Sequence, residues 1–236
     1  MIKFLKLSSK YILIFIFFIY FLERKKPERV YLEQNKHDFF NILIGFINNI
    51  LSSFIVKKTY FIFDLAKSKK IGLLNFIKLP SFLNYIIALT FIDFWMYWWH
   101  RINHEVPFLW KFHKFHHEDK SLNSTSAVSF HSLEIIISTF MRILILLPFG
   151  INLNQIKTYE KILSMVIFFN HSNIKISNKL DLIFRNVIVS PEMHRTHHSK
   201  DSEEANSNYS SINPYWDIIF KTYTKNPKKK VDFGLF

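Results

Sequence analysis

Ten of the eleven histidines lie between His100 and His198, and they come in patterns rather than singly. One pair is His100-Arg101-Ile102-Asn103-His104. Two copies of a tighter motif follow, His113-Lys114-Phe115-His116-His117 and His194-Arg195-Thr196-His197-His198, with His131 and His171 between them. Side chains at i, i+3 and i+4 share one face of a helix about a turn apart. Imidazoles held that way converge on a common point, as the His pair of the helical zinc-protease motif does. Chance alone would produce a His-x-x-His-His motif roughly 0.02 times in such a chain, and a solvated histidine-rich surface does not account for two copies. Metal ligation does.

Ligand arithmetic then sets the number of ions. Ten imidazoles exceed what one ion accepts, whereas two ions with about five ligands each absorb them all. Imidazole suits iron, zinc, copper or nickel and argues against magnesium or calcium. Structural zinc is satisfied by four ligands, so two redox-capable iron ions with a position left open for O₂ are the more economical assignment. The candidate ligands are His100, His104, His113, His116, His117, His131, His171, His194, His197 and His198. Glu134, one turn from His131, is a candidate carboxylate to orient it, and Asp217 beside Trp216 is a second. Arg101 and Arg195 each follow a candidate ligand and are read as interfacial anchors, with headgroup binding as the other reading. His37 receives no role.

The elements that must position these groups are apolar. Five segments stand out: residues 11–22, 39–56, 82–99, 133–147 and 156–169. The first, flanked by Lys10 and Glu23-Arg24-Lys25-Lys26-Pro27, lacks a small-residue cleavage site and reads as an uncleaved anchor. Trp95, Tyr97, Trp98 and Trp99 crowd the end of the third, as an interface belt or the wall of a groove. Pro148-Phe149-Gly150 and Asn152 make the link between the last two turn-like, so these should form a helical hairpin. Several segments fall short of the ~20 residues of an upright span, which tilting can repair. If the hairpin holds, every histidine group falls on one side of a membrane.

That side carries 19 of the 31 lysines and arginines against 10 on the other, which places the metals in the cytoplasm. The six lysines from Lys57 to Lys78 oppose the pattern: either that stretch lies on the membrane surface or the second segment does not cross. The absence of cysteine excludes disulfides, thiol nucleophiles and iron–sulfur clusters. A net charge of +13 beside apolar runs, without a nucleic-acid motif, points to anionic headgroups rather than nucleic acid.

The run Asp93-Phe94-Trp95-Met96-Tyr97-Trp98-Trp99-His100 through His104, then Pro107-Phe108-Leu109-Trp110 and His113 to His117, resembles the sterol desaturase/fatty acid hydroxylase superfamily. So do Phe130-His131-Ser132-Leu133-Glu134, Asn170-His171-Ser172-Asn173, Pro191-Glu192-Met193-His194 through Ser199, and Asn208-Tyr209-Ser210 with Trp216 to Tyr223. Glu118, Ser129, Ser132 and Ser210 depart from the family's usual residues. The resemblance implies a di-iron centre at the cytosolic membrane face, where O₂ and two electrons oxidise an unactivated C–H bond.

The expected protein is therefore all-α, an integral membrane protein with four to five membrane helices and a cytosolic helical cap holding a dinuclear metal site. Residues 1–81 form an N-terminal membrane anchor region, 82–224 a hydroxylase-like catalytic domain and 225–236 a basic tail. The expected activity is hydroxylation of a lipid (fatty acyl, sterol or related), with desaturation as the alternative and metal transport as the rival from another class. A transporter would bury its ligands inside the spans, whereas here they cluster at segment ends. No flavin or nicotinamide motif is visible, so a separate reductase or electron-carrier protein is the expected partner. The host membrane would be the cell membrane of a bacterium or the endoplasmic reticulum of a eukaryote.

Overall fold

The structure, a computed structural model, describes residues 9–227 and 231–235. Lys3, Lys6 and Lys228 to Lys230, counted in the charge balance, lie outside them. Among the described residues there is no β-strand, only an isolated antiparallel bridge between Pro27 and Ile174. The chain is all-helical.

The five apolar segments become five long helices: α1 (Ser9–Lys25), α2 (Gln34–Ser68), α3 (Ser81–Glu105), α5 (Ser132–Phe149) and α6 (Leu153–Asn170). Between them lies the shorter α4 (Pro107–His117), and after them come α7 (Asn178–Phe184), α8 (Pro191–His197), α9 (Ser202–Ala205) and α10 (Tyr215–Ile219). The second segment is longer than expected. Nothing in Phe54-Ile55-Val56-Lys57-Lys58-Thr59 breaks a helix, so α2 continues through both lysines to Ser68, about 52 Å in all. Two helices, α2 and α5, are long and apolar enough to cross a membrane, and only 11% of each one's most apolar stretch is buried in the fold. A core helix of a water-soluble protein would hide that face; here Phe39, Phe46, Phe54, Phe61 and Phe140 stand exposed.

The apolar core lies at the end of the bundle away from the histidines. Phe63, Leu74, Ala88, Ile92, Leu146, Ile156 and Tyr159 are buried there, with Phe91 and Phe149 stacked at 3.6 Å. Two turns meet backbone to backbone at this end. Gly72 and Gly150 both take positive φ (101° and 87°), and a Cβ on Gly72 would sit 2.3 Å from Gly150. Residues with side chains pay for such a φ, and none would fit the contact.

The α5–α6 connection turns back as a hairpin should, through Gly150 and the Asn152 cap, whose side chain accepts from Asn154 and Gln155 N–H. The two helices then part, because α5 packs on α2 while α6 packs on α1 and α3. Residues 9–81 are thus part of the same packed bundle as the rest. The C-terminal stretch also packs: Val231 and Phe233 are buried with Leu122, and the Lys200 N–H donates to the Asp232 carbonyl at 2.8 Å. The expected basic tail is therefore docked over residues 231–235.

Candidate metal centre

Both His-x-x-His-His motifs end short helices that begin alike. Pro107 opens α4 and Pro191 opens α8, each at a first-turn position where its missing N–H costs nothing, and Ser190 caps α8 by accepting from Met193 N–H. His100 and His104 come from the last turns of α3, and His171 caps the end of α6.

Nine of the ten candidate histidines gather into two sets, within each of which the ligand atoms lie no more than 4.8 Å apart. One set is His100, His104, His113, His117 and His197; the other is His116, His171, His194 and His198. The motifs are divided crosswise. His113 and His117, stacked at i and i+4, go to the first set and His116 to the second; His194 and His198 go to the second and His197 to the first. His117 and His198 lie parallel across the divide, with ring centroids 4.3 Å apart.

His131 stands outside both sets. It is the N-cap of α5, its Nδ1 accepting from Leu133 N–H, and its ring lies against Phe112 and Phe115. Glu134 serves a different partner from the one its spacing suggests. Its Oε1 accepts from His113 Nδ1 at 2.8 Å, because the first turn of α5 faces α4.

The ring nitrogens show what the cage can do. His100 Nδ1 donates to the Tyr209 carbonyl and His197 Nδ1 to the Ser207 carbonyl, each at 2.7 Å. Their Nε2 atoms therefore carry lone pairs, and these face one another at 3.0 Å. Burial pushes the pKa of His197 down to about 3, so protonation does not relieve the clash. The second set repeats the pattern. His116 Nδ1 donates to Ser129 O and His171 Nδ1 to Ile167 O, and their Nε2 atoms also meet at 3.0 Å. His194 Nε2 lies 3.0 Å from that of His171 and 3.2 Å from that of His198.

Burial holds His171 near a pKa of about 4, and burial plus neighbouring imidazoles push His194 and His198 well below the usual range. Neither nitrogen of His117 has a protein partner, nor does His113 Nε2, and beside His104 stands the polar side chain of Asn206. Buried, neutral, unpartnered imidazoles with converging lone pairs are costly without a cation and well matched to two.

Loops fix the cage from behind. Asp217 accepts from the backbone N–H groups of Tyr209 and Ser210 and from the Thr222 hydroxyl, so it positions the loop that holds His100 instead of touching a ring. Arg195 is buried rather than interfacial: it donates to the carbonyls of Ser172 and Ile174 and ties α8 to the segment after His171. Arg101 pairs with Glu105 at 2.7 Å and lies over Trp98.

Sequence reasoning missed a buried network on the other flank. The Glu23 carboxylate accepts from Ser124 N–H, Ser124 Oγ and Asn173 N–H, bracing the segments beside both sets. His37 Nε2 lies 2.8 Å from Asp119, two residues after His117. The only prior signal was the placement of acids at the ends of greasy segments.

A cavity of about 260 Å³ opens against the cage between α3, α5 and α6. Its walls are Trp95, Trp99, Ile135, Leu163 and Ile167, and histidines of both sets, including His113 and His116, form its floor. Two of the belt tryptophans are therefore wall residues, Trp99 Nε1 donating to Ser138 Oγ at 2.8 Å.

Together these features define an all-helical bundle with an exposed apolar surface and two histidine clusters that could hold metal beside an apolar cavity. The fatty acid hydroxylase family model matches residues 85–222, and the chain belongs to that family, within the superfamily its motifs resemble. It is 28% identical over 158 residues to the ornithine lipid hydroxylase OlsE of Rhizobium tropici, covering 66% of this chain and 46% of that one. It is 29% identical over 151 residues to the alkylglycerol monooxygenase of Homo sapiens, covering 61% and 31%. The Xenopus tropicalis alkylglycerol monooxygenase is 29% identical over 154 residues, covering 62% and 32%. The chain thus spans less than half the length of each of these relatives. No solved structure matches.

Proposed function

We propose that this chain is a membrane-bound non-haem di-iron oxygenase that hydroxylates a lipid with O₂ and two electrons. The observation that carries the reading is the pairing of neutral, buried Nε2 lone pairs at 3.0 Å in both histidine sets, on the floor of an apolar cavity. Family membership and relatives named as lipid hydroxylases and monooxygenases support the reaction class.

The ligands are the nine clustered histidines, with His131 at the rim. A pair of iron ions bound there supplies the reductive O₂ activation that an unactivated C–H bond demands. The chain's own groups do the rest. Glu134 and the carbonyls of Ser129, Ser207 and Tyr209 keep the Nδ1 protons in place, so each ring presents one lone pair in one direction. Trp95, Trp99, Leu163 and Ile167 exclude water and lay an apolar chain across the floor. One oxygen atom ends as the lipid hydroxyl; the other leaves as water with two electrons and two protons, which a separate reductase or carrier protein delivers.

In this reading α1, α2, α3, α5 and α6 are the membrane helices, α4 and α7 to α10 form the cap, and residues 82–224 are the catalytic unit. The lysine and arginine bias puts the cap in the cytosol.

The test is untargeted lipid mass spectrometry on expressing cells under heavy-isotope O₂, with a His197→Ala/His198→Ala control and iron analysis of the purified protein. A lipid carrying one labelled oxygen, and about two iron ions per chain, is the expected result. An unlabelled lipid two hydrogens lighter would move the assignment to desaturation. Metal-free protein with an unchanged lipid profile would sink the oxygenase reading.

A further inference from the structure

One charged group in the cavity has no part in the cage. Arg142 lies in the most apolar stretch of α5, ten residues from its start at Ser132, or about 15 Å along the helix from the histidine end. It continues the stripe of Ile135, Ser138 and Thr139 that faces the cavity. An ionisable residue at such a depth is expensive and marks a path or binding position more often than an accident.

Its surroundings are only half satisfied. Arg142 Nη1 donates to Glu160 Oε1 at 2.6 Å, and Glu160 Oε2 accepts from the Tyr60 hydroxyl at 3.1 Å. Among the described residues Glu160 is the only acceptor the guanidinium meets, although the side chain is just 27% exposed. Nε and Nη2 are left without a protein acceptor. A pair that merely tied α5 to α6 would have no reason to line a cavity with free donors. In an apolar layer those donors need an oxygen from whatever fills the cavity. The charge is also not isolated: Lys157, near the start of α6, sits over the Tyr60 ring at 4.9 Å, so polar groups lead from that end of the bundle to Arg142.

We propose that Arg142 is the anchor for an anionic oxygen group of the lipid, a carboxylate or a phosphate, and that Glu160 holds the guanidinium in place to receive it. The anchored group is then set back from the cage along α5, the Arg142 backbone standing about 15 Å of helical rise beyond Ser132, and this offset selects which carbon of the chain reaches the histidine floor. The inference rests on the lipid-oxidising reading of the same cavity.

It is tested by binding, without turnover. Palmitate, 1-palmitoyl lysophosphatidate and the neutral hexadecanol are titrated against the full chain, with its native metal content, in nanodiscs. Arg142→Gln should weaken at least one anionic amphiphile by about tenfold or more, as loss of a charge-assisted hydrogen bond implies, and leave hexadecanol unchanged. Loss confined to palmitate names a carboxylate, and loss confined to lysophosphatidate names a phosphate. Glu160→Gln, whose amide oxygen can still accept from Nη1 and hold the guanidinium while its charge no longer competes with the ligand, should keep or tighten the anion. The double variant Arg142→Gln/Glu160→Gln, with no charge left unpaired, should show the same selective loss as Arg142→Gln.

Equal binding of all three probes by wild type and Arg142→Gln would overturn the proposal. So would a common loss for all three, or a loss with Glu160→Gln as large as with Arg142→Gln. Because no oxygen is incorporated, these outcomes are independent of the labelled-lipid experiment: selective binding can survive a failed hydroxylation test, and the reverse.

Discussion

A histidine binds a cation only when neutral, and it aims its lone pair only if the other nitrogen is committed. His113 illustrates the second condition. Its Nδ1 is held by the Glu134 carboxylate at 2.8 Å, and its Nε2 has no protein partner. Replacing that carboxylate by the amide in Glu134→Gln keeps the shape but loses the charge that sharpens the ring's basicity. Metal affinity should fall about 10–100-fold by chelator competition while the fold persists; unchanged affinity would remove Glu134 from the cage.

The first condition has a pH signature. His171 and His197 have folded-state pKa values of about 4 and about 3, below the ordinary 6.5, because of burial. Below about pH 6.5 the unfolded chain takes up protons that the folded metal-free chain refuses, so stability falls as pH falls. Melting temperatures of chelated protein should drop steadily between about pH 7 and about pH 5; a flat curve would mean the rings are wet. The spacing of the histidines made convergence legible in the sequence. It did not reveal the partners of Nδ1, since the carbonyls of Ser129, Ser207 and Tyr209 belong to loops without a pattern, nor that His131 caps a helix. The i+3 histidines, His116 and His197, also gave no sign that they would cross to the opposite set.

At the scale of elements, apolar runs bounded by charge and proline located all five long helices. Their limits were harder to read. Lysines 57 and 58 look like an end, yet α2 runs on to Ser68, because lysine is a good helix former and exposed positions tolerate it. The hairpin of α5 and α6 was legible from Pro148, Gly150 and Asn152, but not its splay, which depends on α2 and α3 competing for the two inner faces. At the far end of the bundle the Gly72 and Gly150 turns touch. A Cβ at Gly150 would lie 3.0 Å from the Gly72 carbonyl carbon and from Leu74 N, at a φ of 87°. Gly150→Ala should therefore cost about 1–2 kcal/mol or more, lowering the melting temperature by several degrees. Its metal content should stay at the wild-type level, because the cage is at the other end; loss of metal would show that the turns and the cage are coupled more tightly than the packing implies.

The whole molecule is a bundle with an inverted distribution of polarity: histidines, acids and amides fill one end, and phenylalanines cover the outside. Phe39, Phe46, Phe54 and Phe61 along α2 form an exposed apolar face that water would not tolerate, and lipid would. The proposed direction of insertion rests on the sequence alone, where 19 of the 31 lysines and arginines fall in the segments assigned to the histidine side. The chain contains no cysteine, so single thiols report topology without background. Ser68, exposed at the end of α2, and Ser202, exposed at the start of α9 near the cage, differ from cysteine by one atom. In intact cells a membrane-impermeant maleimide should label the Ser68→Cys variant and not Ser202→Cys, and permeabilisation should expose the latter. The reverse result would put the cage outside the cytosol and contradict the charge argument. Protection of both sites in intact cells would mean that α2 does not cross, and that the lysine-rich turn beyond it lies on the same face as the histidines.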